Sequence, residues 1–399
     1  MLISRGLLAD PRCRDRLDAM LPHIDADTVE IAEGSAVEEA LRSLGPREQL
    51  ERGGLAHRGR HKELVAFTQF ADGDVFPGYS WRELRDGSRE IDHNGVMCHS
   101  AVEIQSAVGC PFDCTYCPYG SFVCIRLDVE RFVDRVMGLV SEQPRQRLFK
   151  LNNRTDTLAL EPEYGLASAL VTRFSELPGR FLMLYSKGDE VDHLTGLDHG
   201  GKTIASFTLS PEPVAALLEA GAPSPAARLA AIEKLARAGY PIRVRFSPIV
   251  PIRGWRGAYW RLVQRLAAAA SPELVTLWSL SMIDFEDLGS IVPLEELDAP
   301  MLAAARAAAE DMRGSKGAPF PEETRAEMYG EIASMVHALT PSTQVALCLE
   351  TPRVWNTLGS RVVRRIGGGF LCNCGPRAVP EALLRRRRLA PLTKSRSQK

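Results

Sequence analysis

Apolar positions along the middle of the chain switch period repeatedly. Short apolar runs of strand length recur at Ala101–Val108, Leu148–Leu151, Phe181–Tyr185, Thr203–Leu209, Ile242–Val250 and Leu274–Leu280. Between them the spacing lengthens to that of a helix: Val129, Phe132, Val133, Val136 and Val140 fall on one helical face. A second helix, around Leu229, Ile232 and Leu235, has Ser224 as N-cap, Pro225 at its first position and Gly239 just past its end. Six strands alternating with helices argue for an α/β fold with a parallel sheet, either open or closed into a partial barrel. A full eight-unit barrel does not fit, because Ala299–Leu339 reads as mostly helical.

The flanks follow other patterns. The start reads as strand, helix, strand: Met1–Ser4, Arg12–Leu21 and Thr28–Ile31. Gly53, Gly54, Pro77 and Gly78 then interrupt the pattern, so Glu51–Asn94 reads as a loop-rich linker. From Pro341 the chain has a short strand ending at Cys348, a helical turn near Trp355, and Gly367–Gly369 leading into Cys372. The expected division is an N-terminal α/β region with linker (1–95), the strand–helix alternation (96–298), a helical and cysteine-bearing C-terminal region (299–378) and a basic tail (379–399). Arg385–Arg388 make that tail a solvated, mobile segment by expectation.

Composition narrows the function classes. The 399 residues are 45% hydrophobic, 25% charged and 7% aromatic, close to the average of folded soluble proteins. Lys plus Arg (49) balance Asp plus Glu (50), so composition supports no general polyanion-binding field. No segment reaches about 18 consecutive apolar residues, and Met1–Pro11 is too short an apolar stretch for a signal peptide. A cytoplasmic protein with no membrane partner is expected. The nine cysteines are too few for a disulfide scaffold and odd in number. Cys110, Cys114 and Cys117 stand together, Cys372 and Cys374 form a pair, and Cys13, Cys98, Cys124 and Cys348 are scattered.

The sharpest motif is Gly109-Cys110-Pro111-Phe112-Asp113-Cys114-Thr115-Tyr116-Cys117, directly after the first strand of the alternation. Three thiolates so close can converge on one centre and leave a coordination position open, as catalysis requires. A structural zinc site completed by a distant ligand is the competing reading. The motif resembles that of the radical S-adenosylmethionine (SAM) superfamily, and residues 1 to about 285 resemble spore photoproduct lyase and its relatives. Further matching stretches, in order, are Ile125–Leu127, Lys187–Leu194, Gly201–Thr203, Pro248-Ile249 and Gly254-Trp255.

The resemblance implies a partial (β/α)6 TIM-like barrel holding a 4Fe-4S cluster on the catalytic cysteines Cys110, Cys114 and Cys117. SAM bound to that cluster would be cleaved reductively to a 5'-deoxyadenosyl radical that abstracts a hydrogen atom from substrate. It also implies an electron donor such as flavodoxin or ferredoxin. Cys110, Asn153, Lys187, Ser210 and Pro248 each lie at or just past a strand end, where barrels place their chemistry. By the family pattern Lys187 pairs with the SAM carboxylate and Thr208 and Ser210 bond its ribose or amino group. Tyr116 and Asn153 complete the expected cofactor-binding set.

Two departures qualify this expectation. Where the lyase carries a hydrogen-donating cysteine, the run is Asn152-Asn153-Arg154-Thr155-Asp156, and Asn153 has no labile hydrogen atom to give. A small-molecule substrate, a nucleoside or other metabolite, is therefore expected, with lyase-type DNA repair and a non-enzymatic zinc protein as the alternatives and a nucleic-acid partner disfavoured but open. At the other end, Cys348, Cys372 and Cys374 are candidate ligands of an auxiliary iron–sulfur cluster. Gly196–Thr203 satisfies the phosphate-loop pattern, but a helical turn before it and a strand after it reverse the context that motif needs.

Overall fold

The computed structural model describes residues 1–43, 64–70, 95–98, 101–119, 122–143, 146–362, 372–375 and 378–380. Gly53, Gly54, Pro77, Gly78, the glycine triplet 367–369 and the basic run 385–388 lie outside the described residues.

The main sheet has seven parallel strands, in chain order Val102–Ile104, Leu148–Leu151, Phe181–Ser186, Thr203–Leu209, Ile242–Ile249, Leu274–Ser279 and Gln344–Leu347, each paired with the next. Neighbours in sequence are neighbours in the sheet, as short right-handed crossovers require. The expected α/β partial barrel is present. The short strand before Cys348 extends it as the last strand. The open edge is stitched where Met97 N donates to Glu350 O at 2.8 Å, joining the chain ahead of the first strand to the chain after the seventh.

Side-chain alternation gives the barrel two different faces. Val244 and Phe246 point toward the helices, while Arg243, Arg245 and Ser247, on the same buried strand, point inward. Outside, Phe132, Val133, Val136 and Val140 of helix Val129–Ser141 are buried, and so are Leu229, Ile232 and Leu235 of helix Pro225–Arg237. That second helix begins as expected, with Ser224 Oγ accepting from Ala227 N at 3.2 Å, and Gly239 follows its end at φ +88°.

The apolar run Ala101–Val108 is not one strand. After Val102–Ile104 the chain turns at Gln105 and Ser106, because Asn152 Oδ1 accepts from Ser106 N at 2.9 Å and from Ser106 Oγ at 3.0 Å. Ala107–Gly109 then joins a separate five-stranded sheet, antiparallel to Phe122–Arg126. The other strands of that sheet are Leu64–Thr68, Leu2–Ser4 and Glu30–Ala32. The stretch read as linker thus contributes Leu64–Thr68, a run of strand-forming residues flanked by breakers. The phosphate-loop look-alike sits between helix Asp192–Thr195 and strand Thr203–Leu209, the reverse of the required order.

The close approach of the paired strands fixes Gly109. Its φ is +84°, and a Cβ there would lie 1.8 Å from Phe122 O. Gly109→Ala should therefore cost about 3 kcal/mol or more, from left-handed backbone strain plus the backbone clash. Urea unfolding of the variant checks this.

Candidate active site

The cysteine loop hangs between the two sheets. It closes on itself where Cys110 N donates to Tyr119 O at 2.8 Å and Cys117 N to Cys114 O at 3.0 Å. It is tied to the barrel by Thr115, whose N donates to Leu218 O at 2.8 Å and whose Oγ1 donates to Ile291 O at 3.0 Å. Cys114 and Asp113 also pair, antiparallel, with Glu219 and Ala220. The loop thus faces the chain that follows the fourth and sixth barrel strands, at their C-terminal ends.

Glu219 is the centre of the bonding beneath the loop. Its Oε1 accepts from Tyr116 OH and from Ser210 Oγ, each at 2.9 Å. Its Oε2 lies 2.6 Å from Arg228 Nη2, both side chains fully buried, close but poorly aligned for a hydrogen bond. Arg228 is held by Nε to Pro223 O at 2.8 Å and Nη1 to Thr208 O at 3.2 Å. Burial alone would raise the Glu219 pKa, but Lys187 and Arg228 hold it below the ordinary carboxylate range. The carboxylate is therefore ionised, and burial together with its charge pushes the Tyr116 phenol well up, so that Tyr116 stays a neutral donor.

Lys187 follows the third strand, half-buried, with Nζ 5.5 Å from the Tyr116 ring centre. Burial would lower its pKa, yet the charges of Cys114, Glu219 and Tyr185 raise it above the ordinary lysine value. Asp156 ties the second and third strand ends together, accepting from Ser186 Oγ at 2.5 Å and Lys187 N at 2.6 Å. Burial pushes the Cys110 and Cys114 thiols up, the latter to about 11, while Lys187 pulls Cys114 back down. All three sulfurs influence one another electrostatically.

Of the residues expected from sequence, Cys110, Cys114, Cys117, Tyr116, Lys187 and Ser210 gather at this mouth. Ser210 is engaged by Glu219, and Thr208 contributes its carbonyl to Arg228. Asn153 is exposed and accepts from the buried Lys150 Nζ. Lys150 Nζ lies 4.2 Å from the Tyr185 ring centre, and Arg245 lies 4.8 Å from the same ring on its own side. Cys348, Cys372 and Cys374 form a second group. Cys372 and Cys374 sulfurs are 3.9 Å apart, and Arg245 Nη2 reaches Cys348 Sγ at 3.7 Å. None of the nine cysteines forms a disulfide. Among the described residues no three thiol, imidazole or carboxylate groups already converge tightly enough to hold a metal ion, and the two cysteine groups share that open arrangement. Sequence reasoning missed Glu219 and Arg228, which match no motif, and named Asp156 only as the end of the Asn152–Asp156 run.

The donor set at the mouth fits a 4Fe-4S cluster: three sulfur ligands on one closed, partly buried loop, with a lysine to balance negative charge. The comparisons agree. Residues 95–286 match the family model of spore photoproduct lyase. Among curated proteins the spore photoproduct lyase of Bacillus subtilis (strain 168) is 29% identical over 173 residues, 42% of this chain and 51% of the relative. The spore photoproduct lyase of Geobacillus sp. (strain Y412MC61) is 29% identical over 172 residues, 41% and 50% respectively. The match thus spans about half the length of these relatives. A solved spore photoproduct lyase mutant with bound AdoMet and dinucleoside spore photoproduct superposes at a TM-score of 0.63 with 18% identity, covering 88% of this chain and 98% of that one. At that identity the likeness establishes the fold. The barrel topology and the cysteine loop at its mouth are thus similar to those expected of the radical SAM superfamily. Over residues 95–286 the chain is similar to spore photoproduct lyases, and it shares their fold.

The buried ion pair supplies a test. Arg228→Met should destabilise the protein by about 3–5 kcal/mol, because Glu219 would be left charged without its nearest partner. Denaturant unfolding measures the loss; a change below about 1 kcal/mol would show that Lys187 alone compensates Glu219.

Proposed function

We propose that this chain is a radical SAM enzyme acting on a small polar molecule, with the first cluster on Cys110, Cys114 and Cys117 and an auxiliary cluster on the C-terminal cysteines. The observation that carries the substrate reading is Asn153. By the family resemblance it stands where the lyase carries its hydrogen donor; it is exposed and leads through Lys150 into a polar barrel interior. Buried there, Ser206 Oγ, Thr276 Oγ1 and Arg245 Nε have no protein partner. Buried polar atoms without partners call for water or a ligand.

When bound, the cluster supplies the electron that splits SAM into methionine and a 5'-deoxyadenosyl radical, which takes a hydrogen atom from substrate. The chain's own part is binding and exclusion. Lys187, held protonated, pairs with the carboxylate of SAM. Glu219 keeps Tyr116 and Ser210 fixed under the loop, so the cysteine positions do not drift. The inward-facing cations Lys150 and Arg245 suit a substrate with a carboxylate, phosphate or other electron-rich group. Reducing equivalents come from a flavodoxin or ferredoxin in the cytoplasm. Among the described residues no helix is long and apolar enough to cross a membrane.

Two outcomes test this reading. Cys114→Ala should lose about four irons and all 5'-deoxyadenosine formation from SAM under reducing conditions, measured by iron assay and mass spectrometry. Undiminished 5'-deoxyadenosine would overturn the reading. Incubated with dinucleoside spore photoproduct, the unmodified enzyme should give no clean multiple-turnover return to two thymines, because Asn153 cannot quench the product radical. Efficient repair would place hydrogen donation at another residue and restore the lyase activity.

A further inference from the structure

The C-terminal thiols do not stand as a group of three. Met97 is bridged to Glu350, which places Cys98 beside Leu349 and diagonally across from Cys348 on the stitched edge of the barrel. The Cys372–Gly375 segment is clamped against the same part of the barrel by Arg243, whose Nη1 donates to Asn373 O and Nη2 to Ala378 O, each at 2.5 Å. Four cysteines from three separated stretches of chain therefore lie along one edge of the barrel, though not drawn together tightly enough to hold a metal ion as they stand.

Two further observations point to a ligand there. Asn373, between Cys372 and Cys374, is 2% exposed, yet neither its Oδ1 nor its Nδ2 has a partner. Arg245 is 5% exposed with its Nε unpartnered, and among the described residues it makes no ion pair with a carboxylate. Its guanidinium lies instead 4.8 Å from the Tyr185 ring centre and reaches Cys348 Sγ at 3.7 Å. A buried cation without a counter-charge is costly. An anionic, sulfur-ligated group beside Arg245 removes that cost, and the amide of Asn373 is placed to donate to it.

We propose that Cys98, Cys348, Cys372 and Cys374 are the four ligands of a closed 4Fe-4S cluster at the barrel's stitched edge. This rests on the auxiliary-cluster reading above and changes its chemistry. With every iron capped by a thiolate, no iron is open to substrate, which leaves electron relay as the cluster's role.

The test uses full-length protein in which Cys110, Cys114 and Cys117 are all alanine, reconstituted anaerobically with iron and sulfide. It should be brown and hold about four irons. Adding Cys98→Ala should lower this to about three or fewer, with a three-iron signal in the electron paramagnetic resonance spectrum after oxidation. Adding Cys13→Ala, a buried cysteine of the N-terminal helix, should leave about four. Circular dichroism of the metal-free proteins shows whether each variant folds. Should Cys98→Ala not fold, Cys98→Ser, which keeps a weaker ligand, should hold iron with an altered spectrum. Full iron and an unchanged spectrum without the Cys98 thiol would overturn Cys98 as a ligand and leave a three-cysteine cluster. No iron in the starting variant would overturn the auxiliary cluster itself, and colourless protein with one zinc would overturn the iron–sulfur assignment.

Discussion

The ion pair between Glu219 and Arg228 is the constraint on which the mouth of the barrel depends. Both charges are fully out of water, an arrangement that is tolerable only when the remaining donors and acceptors are satisfied. Arg228 meets this with two backbone carbonyls, Glu219 with two hydroxyls. Those two hydroxyls belong to Tyr116 in the cysteine loop and Ser210 at a barrel strand end. The pair therefore joins the cysteine loop to the end of the fourth barrel strand and to helix Pro225–Arg237, which comes after it. It also sets the local charge: an ionised Glu219 helps keep Lys187 protonated, and protonated Lys187 favours the Cys114 thiolate.

A parallel barrel normally fills its interior with branched apolar side chains. Here the inward face of strand Ile242–Ile249 carries two arginines, and Lys150 faces them across Tyr185. The three cations are not equivalent. Arg243 is spent on structure, paired with Glu273 at 2.6 Å and holding the C-terminal segment. Arg245 and Lys150 have no such carboxylate partner among the described residues, and they flank Tyr185, whose phenol they draw below the ordinary value against the opposing effect of burial. That concentration of cations is the basis of the electron-rich substrate proposed above.

How much of this could be read in the sequence follows the range of the interactions. Strands Leu148–Leu151, Thr203–Leu209 and Ile242–Ile249 and helix Pro225–Arg237 were legible because period and capping are local. The cysteine loop was legible because its three cysteines lie within eight residues. The split at Gln105 and Ser106 was not, since Asn152, which causes it, arrives from the next strand. Nor were Glu219 and Arg228: their mutual pairing lies within one crossover but follows no periodic pattern, and Tyr116 reaches Glu219 from the cysteine loop, 103 residues away. Cys98 looked isolated for the same reason. Its neighbours come from the far edge of the barrel, about 250 residues on, and only the Met97–Glu350 bridge brings them together.

The change at Asn153 and the C-terminal cysteines then belong to one substitution of chemistry. A thiol at that strand end closes a radical reaction by giving a hydrogen atom. An asparagine cannot, so the product radical must be resolved by gaining or losing an electron, or by gaining a hydrogen atom elsewhere. Asn153 is bonded to Lys150, and Lys150 acts electrostatically on both Cys374 and Cys348. One buried cation thus stands between the altered position and the second thiol group. On the reading proposed above, losing the hydrogen donor and gaining an electron relay are the two halves of that replacement.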